Sequence, residues 1–197
     1  VKTHKLSIKH IISASAIGIY PDSKTRYYEE KFQGIDSSFL RTVVKSWEGS
    51  LKPFQSIGVK TTALRIGIVL DAHEGALPKI IGPIKHYFGA ALGSGDQWQS
   101  WIHIDDLVHL FMFVLESKLE GVYNAVAPNP VQQIELTKLI AKILQRPLIL
   151  PNVPEFALRL MLGEMRAIAL ESQRVCASKI QDAGFKFNYL ELEPALE

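Results

Sequence analysis

An almost uninterrupted apolar run, TTALRIGIVL at residues 61–70, is the feature of this sequence that most constrains the fold. The run has the length of a buried strand, and it is too short for a membrane span, which needs roughly 18 residues or more. A strand with apolar residues on both sides must be covered on both faces, which is typical of a parallel sheet packed between helices. The run therefore predicts an α/β protein with a parallel sheet.

Two further segments predict strands on either side of this run. Residues 10–12 begin one and give way to small residues, and GVYNAVA at residues 121–127 forms the other. Apolar residues at helical spacing predict helices over residues 39–48, 77–87, 136–144 and 155–162, and Asp105 or Asp106 is expected to cap one more. Because helices dominate after residue 70, the pattern indicates the end of a doubly wound domain followed by a small helical lobe.

Composition excludes several classes of protein. Apolar residues make up 47% of the 197-residue chain and charged residues 21%, which is ordinary for a folded domain. The net charge is only +2 and no basic run alternates with aromatic residues, so we expect no nucleic-acid partner. No apolar run is long enough for a membrane, and we expect no membrane partner. Cys176 is the single cysteine, which excludes an internal disulfide and suits a reducing, cytoplasmic location.

A serine at the end of a predicted strand is the main candidate for chemistry. Ser15 stands in the segment ISASAIG, and ligands of parallel sheets bind at the carboxyl ends of the strands. The small residues around it would let the backbone approach a flat ligand closely. The alternative is a tight strand-to-loop crossing in which the serines bond only to local backbone. Both interpretations remain open on the residues alone.

A metal site is the other possibility that the residues raise. His103, Asp105 and Asp106 offer an imidazole and two carboxylates within four positions. A protein metal site needs three or more converging ligands, and no partner cluster is visible in the sequence. Helix capping by an aspartate and packing of the histidine explain the segment better, so we predict no metal.

Six segments together are more specific than any one motif. Their order and spacing resemble those of the atypical short-chain dehydrogenase/reductases, in particular the nucleoside-diphosphate-sugar epimerase-like family. The resemblance covers about residues 9–195. The segments are ISASAIGIY, FLRTVVKSWE, LRIGIVL, LGSGDQWQSWIHIDDLV, GVYNAVAPNPV and LGEMRAIALESQRVCASKIQDAGFKF.

This resemblance implies the C-terminal half of a Rossmann-type parallel sheet plus a small, mostly helical substrate lobe. Residues 1–70, with 101–126 returning to them, would form the second half of the Rossmann-type domain, and residues 71–100 and 127–197 the substrate-binding lobe. The family's N-terminal half, which carries the glycine-rich nucleotide turn, would be absent from this truncated form. We therefore expect NAD(P) to bind to a full-length parent but not to this chain.

The family's site residues can be carried over by position. Ser15 falls where related reductases place the hydroxyl that hydrogen-bonds the reacting carbonyl. Phe39 and Val43 stand where the family's catalytic tyrosine and lysine would be, so the usual proton relay is missing. Small residues at the end of the first strand would flank the nicotinamide, and residues of the second strand would approach its amide. The cofactor-binding residues expected on this basis are Ser13, Ala14, Ala16, Arg65, Ile66 and Gly67.

Two functions follow from these expectations. The first is an NAD(P)-dependent epimerase or oxidoreductase-like protein that acts on a small, possibly sugar-nucleotide, substrate. The alternative is a non-catalytic NADP(H)-binding or sensor protein derived from the reductase fold, which Phe39 and Val43 favour. An inert structural fragment is a third possibility. We also expect a homo-oligomer, because the strand at residues 10–12 would lack its neighbour in the sheet and expose an apolar edge.

Overall fold

The computed structural model describes residues 8–32, 38–162 and 166–197. Strands and short helices alternate along these residues. The strands are β1 His10–Ala16, β2 Tyr27–Tyr28, β3 Lys60–Ile66, β4 Ile68–Leu70, β5 Trp98–Gln99, β6 Trp101–His103, β7 Gly121–Ala125, β8 Val131–Gln132 and β9 Arg174–Val175. The α-helices are α1 Phe39–Gly49, α2 Lys52–Gln55, α3 Leu77–Lys85, α4 Ile104–Glu116, α5 Gln133–Ile143, α6 Glu155–Leu162, α7 Arg166–Leu170, α8 Ser178–Asp182 and α9 Leu192–Leu196, and a 3-10 turn covers Ile17–Ile19.

The central sheet has three parallel strands in the order β1-β3-β7. In its register Ser15 lies beside Arg65, and Arg65 lies beside Asn124. Since side chains alternate between the two faces of a strand, these three polar residues share one face near the carboxyl ends of the strands. Among the described residues β1 has a strand on one side only.

The apolar run at residues 61–70 is two strands rather than the single strand that we predicted. The break falls at Gly67, after which β4 leaves the central sheet and pairs with β6. A Cβ atom at Gly67 would meet the carbonyl oxygen of Ser100 at 2.3 Å and Cγ1 of Val126 at 2.9 Å. The next residue, Ile68, donates its backbone N–H to the same Ser100 oxygen at 2.8 Å. Only glycine fits where the two chain segments cross this closely.

The start of α4 also differs from the prediction that an aspartate caps it. The N-cap is His103, whose Nδ1 accepts a hydrogen bond from the backbone N–H of Asp105. Asp106 is fully buried and instead accepts hydrogen bonds from the backbone N–H groups of Asn188 and Tyr189, both at 2.9 Å. Because a buried polar group requires hydrogen-bond partners, this carboxylate holds the backbone at residues 188–189 against α4.

Two apolar clusters form the core. The first joins Leu64 and Ala125 of the central sheet to Leu110 of α4, and also to Val175 and Phe185 from the last part of the chain. The second packs α5 and α9 against β4 and β6; it includes Leu70, Trp101, Leu136, Ile140 and Leu192. The boundaries of the two domains stay a prediction. Residues 1–7, 33–37 and 163–165, which include part of the family segment LGEMRAIALESQRV, lie outside the described residues.

Candidate active site

A largely apolar cavity of about 550 Å³ lies where the carboxyl ends of β1 and β3 meet α1. Ala16, Ile66 and Gly67, three of the expected cofactor-binding residues, line it. Its volume is in the range of small-molecule sites. The described lining residues are Ala16, Ile17, Gly18, Leu40, Val43, Val44, Trp47, Ile66, Gly67, Ile68, Val69, Gly75, Ala76, Trp98, Gln99, Ser100, Ala167, Ile168, Glu171 and Gln173.

The remaining expected site residues do not belong to this lining. Ala14 is exposed, and Ser13 donates its hydroxyl to the carbonyl of Ala14 at 3.2 Å. Ser15 and Arg65 are buried, 5% and 6% exposed, in a polar network beside the cavity. The structure therefore divides the expected residues between a cavity wall, an exposed strand edge and a buried network. Their roles stay predictions.

The positions expected for a catalytic tyrosine and lysine lie on α1. Val43 lines the apolar cavity, whereas Phe39 is 63% exposed and lines a neighbouring polar cavity of about 370 Å³. Glu171 borders both cavities, and the polar one also has Asp22 and Glu155 in its wall. Neither Phe39 nor Val43 can donate a proton or lower the pKa of a neighbour, so this part of the wall contributes shape and apolar contact.

Beside the cavity, Ser15, Glu48 and Arg65 form a buried hydrogen-bonded group. The Ser15 hydroxyl donates to Oε1 of Glu48 at 2.8 Å. The guanidinium of Arg65 binds the same carboxylate through one edge, with Nε donating to Oε1 at 2.8 Å and Nη2 donating to Oε2 at 2.9 Å. Burial alone would lower the pKa of Arg65, but its hydrogen bonds to Glu48 and its contact with Tyr20 hold that pKa above its ordinary value. The guanidinium of Arg65 therefore keeps its positive charge beside the Glu48 carboxylate.

Tyr20 extends the group across the sheet. Its hydroxyl accepts a hydrogen bond from Nη1 of Arg65 at 3.0 Å and donates to Oδ1 of Asn124 at 2.7 Å. Asn124 in turn donates Nδ2 to the carbonyl of Cys176 at 2.9 Å. Burial raises the pKa of Tyr20 to about 12, although the neighbouring Arg65 acts in the opposite direction. Tyr20 is therefore a neutral hydrogen-bond donor and acceptor in the neutral pH range.

This arrangement determines what Ser15 can do chemically. Its proton is directed to Glu48, so the hydroxyl is held in place rather than free to rotate towards the cavity. Glu48 was missed in the sequence, although its position gave a signal. Glu48 comes four residues after Val44 and one residue after Trp47, and this spacing places it at the border of the apolar face of α1. A charged side chain at that border needs a partner of opposite charge when it is buried.

Within the described residues the structure shows neither a metal-binding cluster nor a helix that could span a membrane. In the described ranges, no three or more His, Cys, Asp or Glu side chains come together in a way that could hold a metal ion. None of the helices in residues 8–32, 38–162 and 166–197 is both long enough and apolar enough to cross a membrane.

Known proteins similar to this chain are described as epimerase family proteins. All 197 residues align with the epimerase family protein SAR0825 of Staphylococcus aureus (strain MRSA252) at 36% identity, and with SH2119 of Staphylococcus haemolyticus at 38% identity. This chain is similar to epimerase family proteins along its whole length. Its residues span 65% of the length of each of these relatives. A domain of unknown function, DUF1731, matches residues 153–197 of this chain.

Solved structures agree with this similarity. The human epimerase family protein SDR39U1 (isoform2), crystallised with NADPH, superposes with a TM-score of 0.88 at 27% identity, over 98% of this chain and 66% of that one. A nucleoside-diphosphate sugar epimerase from Corynebacterium glutamicum gives 0.78 at 27% identity, over 98% of this chain and 38% of that one. The predictions of the atypical reductase family and of a Rossmann-type α/β fold are confirmed.

Proposed function

We propose that the whole protein is an NAD(P)-dependent, epimerase-like oxidoreductase, and that the apolar cavity holds its small substrate. The observation that carries the proposal is the position of the cavity, at the carboxyl ends of two parallel strands, where α/β proteins bind their ligands. The human family member with NADPH supports the choice of cofactor. Bound NAD(P) would supply a hydride donor or acceptor at its nicotinamide ring.

The described residues fit the ring end of such a cofactor. Ala16 and Gly18 leave an open, apolar surface at the carboxyl end of β1, and a flat ring could lie against it. The sequence contains no G-x-G-x-x-G pattern, so none of the described residues is assigned to the pyrophosphate. In this proposal Ala16 and Gly67 shape the site, while the Glu48–Arg65 pair keeps Ser15 in a fixed orientation beside it.

Calorimetric titration with NADPH tests the proposal. It compares the 197-residue chain with the longest natural protein that contains this sequence. We expect micromolar binding to the longer protein and no binding tighter than about millimolar to the chain, because pyrophosphate-binding amides contribute much of the affinity. Ala16→Phe should fill the cavity mouth and weaken binding, whereas Ala72→Phe, at an exposed turn, serves as the matched control. Absence of NADPH binding to the longer protein would refute the proposal.

The second candidate is a non-catalytic NADP(H)-binding protein. It is favoured by Phe39 and Val43 at the expected tyrosine and lysine positions, and by the Ser15 proton that is directed to Glu48. Both candidates bind the cofactor, so turnover distinguishes them. NADPH oxidation with a panel of small carbonyl compounds supports the enzyme. If only the Phe39→Tyr/Val43→Lys variant turns over, with a new ionisation in its pH profile, the parent is a binder.

A further inference from the structure

Arg174 of β9 is held between two aromatic side chains. β9 pairs with β2, which sets Arg174 opposite Tyr27, and the preceding residue, Gln173, donates its backbone N–H to the carbonyl of Trp98 at 2.9 Å. The guanidinium carbon lies 4.5 Å from the centre of the Trp98 ring and 5.2 Å from that of the Tyr27 ring. Because aromatic faces attract a cation, this Tyr27–Arg174–Trp98 stack holds the guanidinium in place.

The guanidinium of Arg174 has no acceptor within the described part of the chain. None of the described residues accepts a hydrogen bond from it or forms an ion pair with it. Its Nε atom is buried, whereas Nη1 and Nη2 keep contact with solvent. The arginines nearer the apolar cavity differ, because Arg65 binds the carboxylate of Glu48 and Arg41 lies 3.6 Å from that of Glu171. Arg174 therefore presents the N–H donors of Nη1 and Nη2, in one plane, to the solvent side of the stack.

The charged side chains beside the stack do not supply the missing anion. Asp96 pairs with Lys24 at 2.8 Å, and these two charges neutralise each other. Lys24 is adjacent to the stack, because its carbonyl accepts the indole N–H of Trp98 at 3.1 Å. Arg26 lies over the Phe32 ring, at 4.6 Å, rather than in the stack. The stack therefore holds one cation that no described side chain balances.

The shape and charge of this donor set indicate which group it binds. Two terminal nitrogens in one plane match the two oxygens of a carboxylate, which a guanidinium binds through parallel hydrogen bonds. Because Nε is buried, only the end-on approach through Nη1 and Nη2 is open. A phosphate monoester carries close to two negative charges and would need a second cation, but Lys24 is already paired with Asp96. A single guanidinium suits the single charge of a carboxylate.

We propose that the Tyr27–Arg174–Trp98 stack is a binding site for the carboxylate of a small ligand, which Arg174 holds end-on through Nη1 and Nη2. The site is separate from the apolar cavity, since Trp98 lines that cavity but Tyr27 and Arg174 do not. Tyr27 is 44% exposed, so the stack is open to solvent on this side. The proposal therefore does not depend on where NAD(P) or a substrate binds.

Three small probes that share one ring test the charge and shape of the bound group. Benzoate carries a carboxylate, benzamide is its neutral counterpart, and phenyl phosphate carries a phosphate. Binding to the longest natural protein that contains this sequence is followed by ligand-observed NMR and by the proton–nitrogen signals of the arginine side chains. We expect benzoate to bind roughly three- to tenfold more tightly than benzamide, at least as tightly as phenyl phosphate, and to move the guanidinium signal of Arg174. Equal binding of benzoate and benzamide, or tighter binding of phenyl phosphate, would overturn the proposal.

Variants of Arg174 assign the binding to this side chain. Arg174→Gln should weaken benzoate binding to the level of benzamide, and Arg174→Lys, which keeps the charge but loses the planar fork, should restore it only in part. Arg146→Gln is the matched control: it removes a guanidinium that lies over a single ring, that of Tyr87 at 4.8 Å, and it should change nothing.

Two results with these variants would overturn the proposal. Benzoate binding that survives Arg174→Gln would place the ligand elsewhere, and an equal loss in Arg146→Gln would mean that benzoate binds arginines without selection. Full binding in Arg174→Lys would refute the end-on geometry. If Arg174→Gln does not fold, the guanidinium signal of Arg174 in the unmodified protein decides, and a signal that benzoate leaves unmoved would overturn the proposal.

NADPH separates this proposal from the proposed function. Saturation with NADPH should leave the affinity for benzoate unchanged, because the ring end of the cofactor is assigned to the apolar cavity. Displacement of benzoate by NADPH would mean that Arg174 holds a phosphate of the cofactor, which would overturn this proposal and support the proposed function. Benzoate binding that depends on Arg174, in a protein that does not bind NADPH, would support this proposal and refute the proposed function.

Discussion

Removal of the Glu48 carboxylate should destabilise the protein severely. The Glu48→Ala variant would leave Arg65, whose side chain is only 8% exposed, without its bidentate anion. Breaking a buried ion pair from one side typically costs 3–5 kcal/mol. Glu48 itself is 17% exposed, and Arg65 keeps hydrogen bonds to the Tyr20 hydroxyl and the Glu30 carbonyl. We therefore expect the lower end of this range, about 3 kcal/mol.

A double variant separates the charge effect from lost packing. Glu48→Leu combined with Arg65→Met removes both charges at similar volume, and replacing a buried pair in this way is often nearly neutral. The double variant also leaves Ser15 and the Glu30 carbonyl without a bond, so we expect a loss of roughly 1–2 kcal/mol, smaller than for Glu48→Ala. Glu193→Ala breaks the exposed Lys142–Glu193 pair and is the matched control.

Urea unfolding, followed by circular dichroism and tryptophan fluorescence, gives these free energies. At a slope of about 1–3 kcal/mol per molar urea, a loss of 3 kcal/mol moves the midpoint by roughly 1–3 M. The control should not move it measurably. If Glu48→Ala shifts the midpoint no more than Glu193→Ala does, or if the double variant loses more than Glu48→Ala does, the buried pair does not have the role inferred here.

Three other predictions follow from the structure. Gly67→Ala should lower the free energy of unfolding by about 2–3 kcal/mol in urea, because the added Cβ would meet a backbone oxygen at 2.3 Å. In Gly49→Ala the added Cβ meets nothing within 4 Å, so the free energy of unfolding should rise by up to about 1 kcal/mol. Equal effects of the two substitutions would refute the steric reasoning. Because the pKa of Tyr20 is raised to about 12 in the folded protein, its contribution to stability is complete below the unfolded value of 10.0 and is lost as pH rises through 12. Tyr20→Phe should lack this loss of roughly 2–3 kcal/mol, and parallel curves for the two proteins between pH 9 and 12 would contradict it. Because β1 has a neighbouring strand on one side only within the described ranges, the 197-residue chain should associate in light scattering over a tenfold concentration range, and a stable monomer would exclude this.

The sequence determined the class of the fold through local patterns. Continuous apolar runs at residues 61–70 and 121–127 indicated buried parallel strands, and the helical spacing from residue 39 onwards indicated α1 within one residue of its observed bounds. Such patterns succeed because side-chain periodicity is set by the backbone of a single element. The order of the six segments was also sufficient to predict the family resemblance, because the order of segments is read directly from the sequence.

Tertiary structure alone decided where the elements end and which side chains meet. The strand break at Gly67 depends on the carbonyl of Ser100, which is more than thirty positions away in the sequence and 2.3 Å from an added Cβ. The partners of Arg65 are Glu48, Tyr20 and the Glu30 carbonyl, which no local pattern connects. A charge that must be buried can be recognised from its apolar neighbours, but its counter-charge is chosen by how the helix and strands pack.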